Sequence, residues 1–213
     1  MQISLQQVAP TFIETGNFSS SQVWNSTIVF NTGEKIQIVA PSGSGKTSLI
    51  HFLYGLRKDY SGSIAFNEKK IYGFNAEDFA SYRQKHISIV FQDLRLFAEQ
   101  TVLQNLEVKR QLDPFHTENK IAAMTRRLGI ENKLNNLCKT CSYGEQQRIA
   151  IIRSLQQPFD FLFLDEPFSH LDDDNQKIAM ELIEEEAGLR KASIILADLR
   201  PVEFFKADKT LML

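Results

Sequence analysis

Apolar residues in this chain gather into short, nearly continuous runs, and most of the runs stop at a turn residue or an acid. Lys35 to Ala40, Ile87 to Phe91, Phe159 to Leu164 and Ser193 to Ala197 are of this kind. Runs that short, with no polar face, read as strands buried on both sides. Ile3 to Val8 alternates weakly, as an edge strand does, and Thr27 to Phe30 and Gly62 to Phe66 are two further β runs. Between them the pattern predicts helices from Lys46 to about Leu56, from Ala76 to Gln84 and from Asp173 to Leu189. The last of these carries Glu181, Glu184, Glu185 and Glu186, which reads as a solvated helix face. Residues 97–157 are mostly helical, with breaks near Asp113-Pro114 and Gly129. Buried strands alternating with helices predict an α/β fold whose mostly parallel sheet is covered on both sides, and the helical block predicts a subdomain inserted between two strands.

Composition narrows the field. A chain of 213 residues can bury one full core, and no repeat or linker divides it, so residues 1–213 are read as one domain. A net charge of -2 offers no basic footprint, which speaks against nucleic acid as the main partner. No apolar run is long enough to cross a bilayer, and Met1 to Leu5 lacks the basic start and apolar stretch of a secretory leader. Cys138 and Cys141 form one C-x-x-C with no second pair to complete a zinc set, and read as two reduced thiols.

The chemistry is concentrated in two places. Ala40-Pro41-Ser42-Gly43-Ser44-Gly45-Lys46-Thr47 follows the phosphate-loop pattern G-x-x-x-x-G-K-[ST] except at its first position. Gly43 and Gly45 let the backbone curl so that its N–H groups face phosphate oxygens, and the helix that begins at Lys46 adds the positive end of its dipole. Pro41, Ser42, Ser44 and Ser48 complete the candidate cradle. Lys46 brings a full charge to the β- and γ-phosphates, and the Thr47 hydroxyl suits Mg²⁺. The second place is Phe161-Leu162-Phe163-Leu164-Asp165-Glu166, an apolar strand that ends in two acids. In a parallel sheet that end faces the ligand crevice. Asp165 is therefore expected to hold Mg²⁺ through water, and Glu166 to orient or deprotonate an attacking water.

Taken in order, these motifs resemble those of the nucleotide-binding subunits of ATP-binding cassette (ABC) transporters, over essentially the whole chain. Ile87 to Gln92 resembles the strand that leads into the family's Q-loop glutamine. Cys141-Ser142-Tyr143-Gly144-Glu145-Gln146-Gln147-Arg148 resembles the signature motif, and Ser169-His170-Leu171-Asp172 the D-loop. The resemblance implies a P-loop NTPase (RecA-like) core. An N-terminal antiparallel β subdomain shares residues 1–96 and 158–213 with that core, and the helical subdomain with the signature takes residues 97–157. It implies an ATPase with ATP and Mg²⁺ as cofactors, Glu166, Gln92 and Lys46 as catalytic residues, and Thr47, Gln92 and Asp165 on the metal. It further implies a head-to-tail pair of cassettes, a homodimer in the simplest case, in which Ser142, Gly144 and Glu145 of one copy meet the nucleotide of the other. An integral-membrane permease is the expected partner, which puts the chain in the cytoplasm, peripheral to the inner face of the cell membrane. The stretch Phe91 to Phe97 with Thr101, Val102 and Asn105 resembles the lipoprotein-release, cell-division and macrolide-export subgroup.

Four departures from the family pattern stand out. Tyr143 replaces the first signature glycine, and His170 occupies a D-loop position where small residues are common. The switch histidine expected after the last core strand is absent: Asp198 or Ala197 falls there, with Arg200 close enough in sequence to supply a positive charge. For the aromatic that stacks on adenine, Phe18 has the expected spacing and Phe12 is the second candidate. The missing histidine and altered signature raise an alternative role, an ATP-binding switch or regulatory subunit that hydrolyses little.

Overall fold

The computed structural model describes residues 1–13, 18 and 20–213. Its nine strands make two sheets. In the first, strands β1 (Gln2–Pro10), β2 (Thr27–Asn31), β4 (Tyr60–Phe66) and β5 (Lys69–Lys70) pair antiparallel in the order β2-β1-β4-β5. The second contains β3 (Lys35–Val39), β6 (Ile87–Val90), β7 (Phe161–Asp165), β8 (Ser193–Asp198) and β9 (Lys209–Met212), in the order β6-β7-β8-β3-β9 with every pair parallel. The α/β class expected from the pattern of apolar runs is the one observed. The helices are α1 (Lys46–Leu53), α2 (Ala76–Lys85), α3 (Val102–Arg110), α4 (Glu118–Arg127), α5 (Tyr143–Ser154) and α6 (Asp173–Arg190).

The parallel sheet has no polar face because both faces are covered. Along β7, Phe161 and Phe163 pack with Ile36, Ile38, the apolar side of α1 and the antiparallel sheet. Leu162 and Leu164 point the other way, into a second cluster built with α5, α6 and the helices between β6 and β7. All four side chains are fully buried, each contributing roughly 2 kcal/mol by removal from water.

Three expectations change. β1 is an interior strand, held between β2 and β4, and its weak alternation reflects a register shift between Gln6 and Ala9 rather than an edge. α1 ends at Leu53, three residues early, because Gly55 turns left-handed at φ 71° and the Phe79 ring fills the space a Cβ would need. The acidic run on α6 is not wholly solvated: Glu186 is fully buried. Its carboxylate takes Arg190 at 2.7 Å from its own helix, with His116 and Lys120 from the α3–α4 region against the same group. A helix face can look solvated in sequence while one of its acids anchors a neighbouring element.

That anchor is testable. Burial opposes ionisation of Glu186, but hydrogen bonds from Arg190 and His116 prevail and hold its carboxyl below the ordinary 4.5. A folded value lower than the unfolded one gives stability that is complete above pH 4.5 and is lost as pH falls further. Glu186→Gln should cost roughly 3 kcal/mol in urea unfolding at pH 7, and the deficit should shrink toward pH 3.5 (about one unit below the ordinary value). A deficit independent of pH would assign the loss to packing instead.

Candidate functional site

The strand order brings the two motifs together. β3 and β7 are separated only by β8, with Val39 opposite Asp198 and Asp165 opposite Ala197, so all three strands end level. The phosphate loop leaves β3 and the acids leave β7, both at the carboxyl edge. Gly43 and Gly45 are left-handed, at φ 82° and 99°, a turn that a side chain would strain. Ala40 has no such backbone; its methyl is buried and its carbonyl faces inward. Among the described residues no side chain caps the start of α1, which leaves the N–H groups there open to an anion. The loop is braced from behind by Trp24, whose indole N–H donates to the Ser44 carbonyl at 3.2 Å. Trp24 and the loop are far apart in sequence, and no local pattern links them.

Lys46 is the centre of the site. It is 6% exposed, and its Nζ lies 3.2 Å from the Ala40 carbonyl and 3.3 Å from Glu166 Oε1. A cavity of about 450 Å³ opens in front of it, lined by Phe12, Ile13, Ser42, Gly43, Gly45, Lys46, Thr47, Ser48, Gln92 and Glu166. Phe12 is 50% exposed beside this cavity. Phe18, the aromatic favoured by spacing, is instead buried against Trp24 in the core. Of the two candidates, Phe12 is therefore the one beside the cavity, and the Arg57 guanidinium lies over its ring at 4.4 Å from the centroid.

Asp165 is 1% exposed, and among the described residues neither of its oxygens has a hydrogen-bond partner, because the Thr47 hydroxyl beside it is turned to Gln92. Burial drives its carboxyl up to about 6; Glu166 and Asp93 add to the rise, while the nearby Thr47 hydroxyl and Lys46 oppose it. The Thr47 hydroxyl donates to Gln92 Oε1 at 3.2 Å. A buried carboxylate without a donor, next to a hydroxyl and an amide oxygen, is a set of hard oxygen ligands that suits a small divalent cation such as Mg²⁺. Glu166 follows in the left-handed region at φ 47°, a conformation costing about 1 kcal/mol or more in a residue with a side chain. It is held there by its N–H on the Ala197 carbonyl at 2.9 Å and by Gln147, which donates to the Glu166 carbonyl at 3.3 Å.

The expected signature residues lie outside this cavity. Ser142 caps α5 reciprocally with Glu145: Ser142 Oγ accepts the Glu145 N–H and the Glu145 carboxylate accepts the Ser142 N–H at 2.8 Å. Glu145 also pairs with Lys133 at 3.2 Å, so its charge is spent on the cap. Gly144 passes so close to the His170 carbonyl that a Cβ would sit 2.9 Å from it. Arg200 and Asp198 line a different cavity with Ser169 and Lys177, and Arg200 is not among the residues lining the one in front of Lys46. Asp198 is pushed above its usual range by burial, with Glu166 adding, and its Oδ1 accepts the Leu199 N–H at 2.7 Å.

Known proteins share both the sequence and the shape. The sequence model of the family described as ABC transporter matches residues 24–169. A lipoprotein-releasing system ATP-binding protein from Buchnera aphidicola is 33% identical over 195 residues, covering 88% of this chain and 81% of that one. A macrolide export ATP-binding/permease protein from Nitrosomonas europaea is 35% identical over 173 residues, and there the match covers 80% of this chain but only 26% of that longer protein. A dimeric ATP-binding cassette solved in a post-hydrolysis state with ADP and Pi superposes with a TM-score of 0.84 at 21% identity, over 99% of this chain and 94% of that one.

The orphaned Asp165 gives a sign that can be checked without any ligand. Its folded value near 6 exceeds the ordinary 3.8, so the contribution is fully present below pH 3.8 and is lost as pH rises through about 6. Asp165→Asn should therefore stabilise the metal-free chain at pH 7.5 by on the order of 2 kcal/mol, measured by thermal or urea unfolding, with the gain fading at pH 5. Equal stability at pH 7.5 would contradict an uncompensated buried charge.

Proposed function

Because this chain belongs to the ABC transporter family, as an ATP-binding subunit and an ATPase, we propose that the cavity in front of Lys46 is where it binds and hydrolyses ATP. The supporting observation is the meeting of Lys46 and Glu166 at 3.3 Å, across the ends of two strands that are not adjacent. The backbone of residues 41–48 cradles the phosphates, and the Lys46 ammonium lies against the β- and γ-oxygens. Phe12 borders the space left for the base. Asp165, Thr47 and Gln92 are the residues that would hold Mg²⁺, which when bound neutralises charge on the β- and γ-phosphates.

In the nucleotide-free chain Glu166 is the counter-ion of Lys46. A γ-phosphate gives that ammonium a stronger anionic partner and leaves the Glu166 carboxylate available to a water in line with the terminal phosphorus. Glu166 then orients that water and takes its proton. The left-handed backbone, pinned by Ala197 and Gln147, keeps the carboxylate in the cavity lining beside Lys46.

The partners belong to the same proposal. Ser142 and Gly144, exposed or half-exposed at the start of α5, face a second copy of the chain and meet its nucleotide head to tail. Residues 97–157 act as the helical subdomain that couples closure to a separate membrane permease. No helix among the described residues is long and apolar enough to cross a membrane; the permease partner is what places the chain, in this proposal, at the inner face of the cell membrane. The relatives named for lipoprotein release and macrolide export favour partners of that subgroup.

Glu166→Gln should lower phosphate release at least 100-fold, the scale of losing a general base, while ATP still binds; Lys46→Ala should lose binding itself. Unchanged turnover in Glu166→Gln would remove that residue from the chemistry. The alternative role, a switch that binds ATP and hydrolyses little, has two supports: no imidazole stands at 197–198, and Tyr143 alters the signature. It predicts wild-type dimers that persist for many minutes in Mg·ATP without phosphate release, and rapid release would exclude it.

A further inference from the structure

α5 touches the loop that carries Gln92 at both of its ends. At its C-terminal turn Arg153, only 9% exposed, donates from its two terminal nitrogens to the Leu94 carbonyl at 2.6 Å and the Arg95 carbonyl at 2.7 Å. Its charge is met there by carbonyl oxygens rather than by a carboxylate. Both residues it holds are left-handed, at φ 57° and 47°, and neither is glycine, so the loop sits in a shape that needs an external hold. At the first residue of α5 the Tyr143 hydroxyl donates to the Gln92 carbonyl, a long bond of 3.4 Å. The Tyr143 ring is fixed from the other side by the His170 ring, with centroids 4.1 Å apart. Gln92 is itself held by the Tyr143 contact, two residues before the Leu94 carbonyl that Arg153 grips, and presents its amide oxygen to the Thr47 hydroxyl.

A rigid helix that grips carbonyls 92, 94 and 95 determines where the Gln92 side chain points. We propose that Tyr143 and Arg153 are positioning residues that set Gln92 against Thr47 from within the same chain, so that the attitude of α5 governs how tightly the divalent cation is held. Tyr143 and His170 then have a role of their own: their two packed rings tie the start of α5 to the cation side of its own site. The proposal rests on the nucleotide site described above and concerns only its cation side.

The test uses the full chain with ADP bound and Mn²⁺ titrated by electron paramagnetic resonance, so that it does not depend on turnover. Nucleotide affinity is measured separately in EDTA, and circular dichroism checks the fold. Tyr143→Phe should weaken Mn²⁺ binding about two- to five-fold, the worth of one neutral hydrogen bond, and Arg153→Lys about five- to thirty-fold, as for bonds from a charged donor. Nucleotide affinity in EDTA should stay within about two-fold of wild type in both. In a Gln92→Ala background Tyr143→Phe should have no further effect, because it acts through that residue. If Arg153→Lys fails to fold, the Tyr143→Phe and Gln92→Ala pair still decides. Wild-type Mn²⁺ affinity in Tyr143→Phe, or a persisting loss in the Gln92→Ala background, overturns the proposal while leaving the nucleotide site intact. A wild-type chain that binds no nucleotide removes both.

Discussion

A buried ammonium must have an anion beside it, and in this protein that requirement organises everything around Lys46. The side chain is almost wholly removed from water, and its partners are one backbone carbonyl and the Glu166 carboxylate. In surroundings of low effective dielectric, losing the carboxylate without replacement would be costly. Phosphate is a natural replacement, since it brings more charge and finds the open N–H groups at the start of α1 waiting for it. In the mechanism proposed above, binding and chemistry are joined at that exchange, because the carboxylate displaced from Lys46 is the one assigned to the water.

The fold contributes level strand ends and accepts local instability. β8 sets the spacing between the loop after β3 and the acids after β7, and its own backbone restrains both, through Asp198 on Ala40 and Ala197 on Glu166. The apolar faces of β7 supply the stability that allows Asp165 to be buried without a donor and Glu166 to be left-handed. A carboxylate that destabilises the empty chain is the group with most to gain when a cation arrives.

Much of this was legible in the sequence because it depends on local chemistry. Gly43 and Gly45 are needed where φ is positive, and acids following an apolar run mark the carboxyl edge of a buried strand, so the phosphate loop and the Asp165-Glu166 pair could be found by spacing. What stayed hidden depends on distant partners. β9 is a short edge strand, mostly exposed, and the three apolar residues Leu211, Met212 and Leu213 at and just after its end make too short a run to announce it. Phe12 and Phe18 are equivalent by composition, and only the packing of Trp24 decides that one is core and the other borders the cavity. Trp24 behind the loop and Tyr143 on Gln92 span intervals that no periodicity connects. Glu186 looked like its solvated neighbours because its basic partners His116 and Lys120 belong to another part of the chain.

The account stands on Lys46 and Asp165 serving one bound nucleotide, and calorimetry of ATP binding to the purified chain near pH 6, with Mg²⁺ present or chelated, tests that most directly. One nucleotide per chain is expected, with tighter binding in Mg²⁺ and, from heats in two buffers of different ionisation enthalpy, a proton release larger than that of Asp165→Asn, since the terminal phosphate releases its own share in both. Binding indifferent to Mg²⁺, or a proton release unchanged in Asp165→Asn, would contradict it.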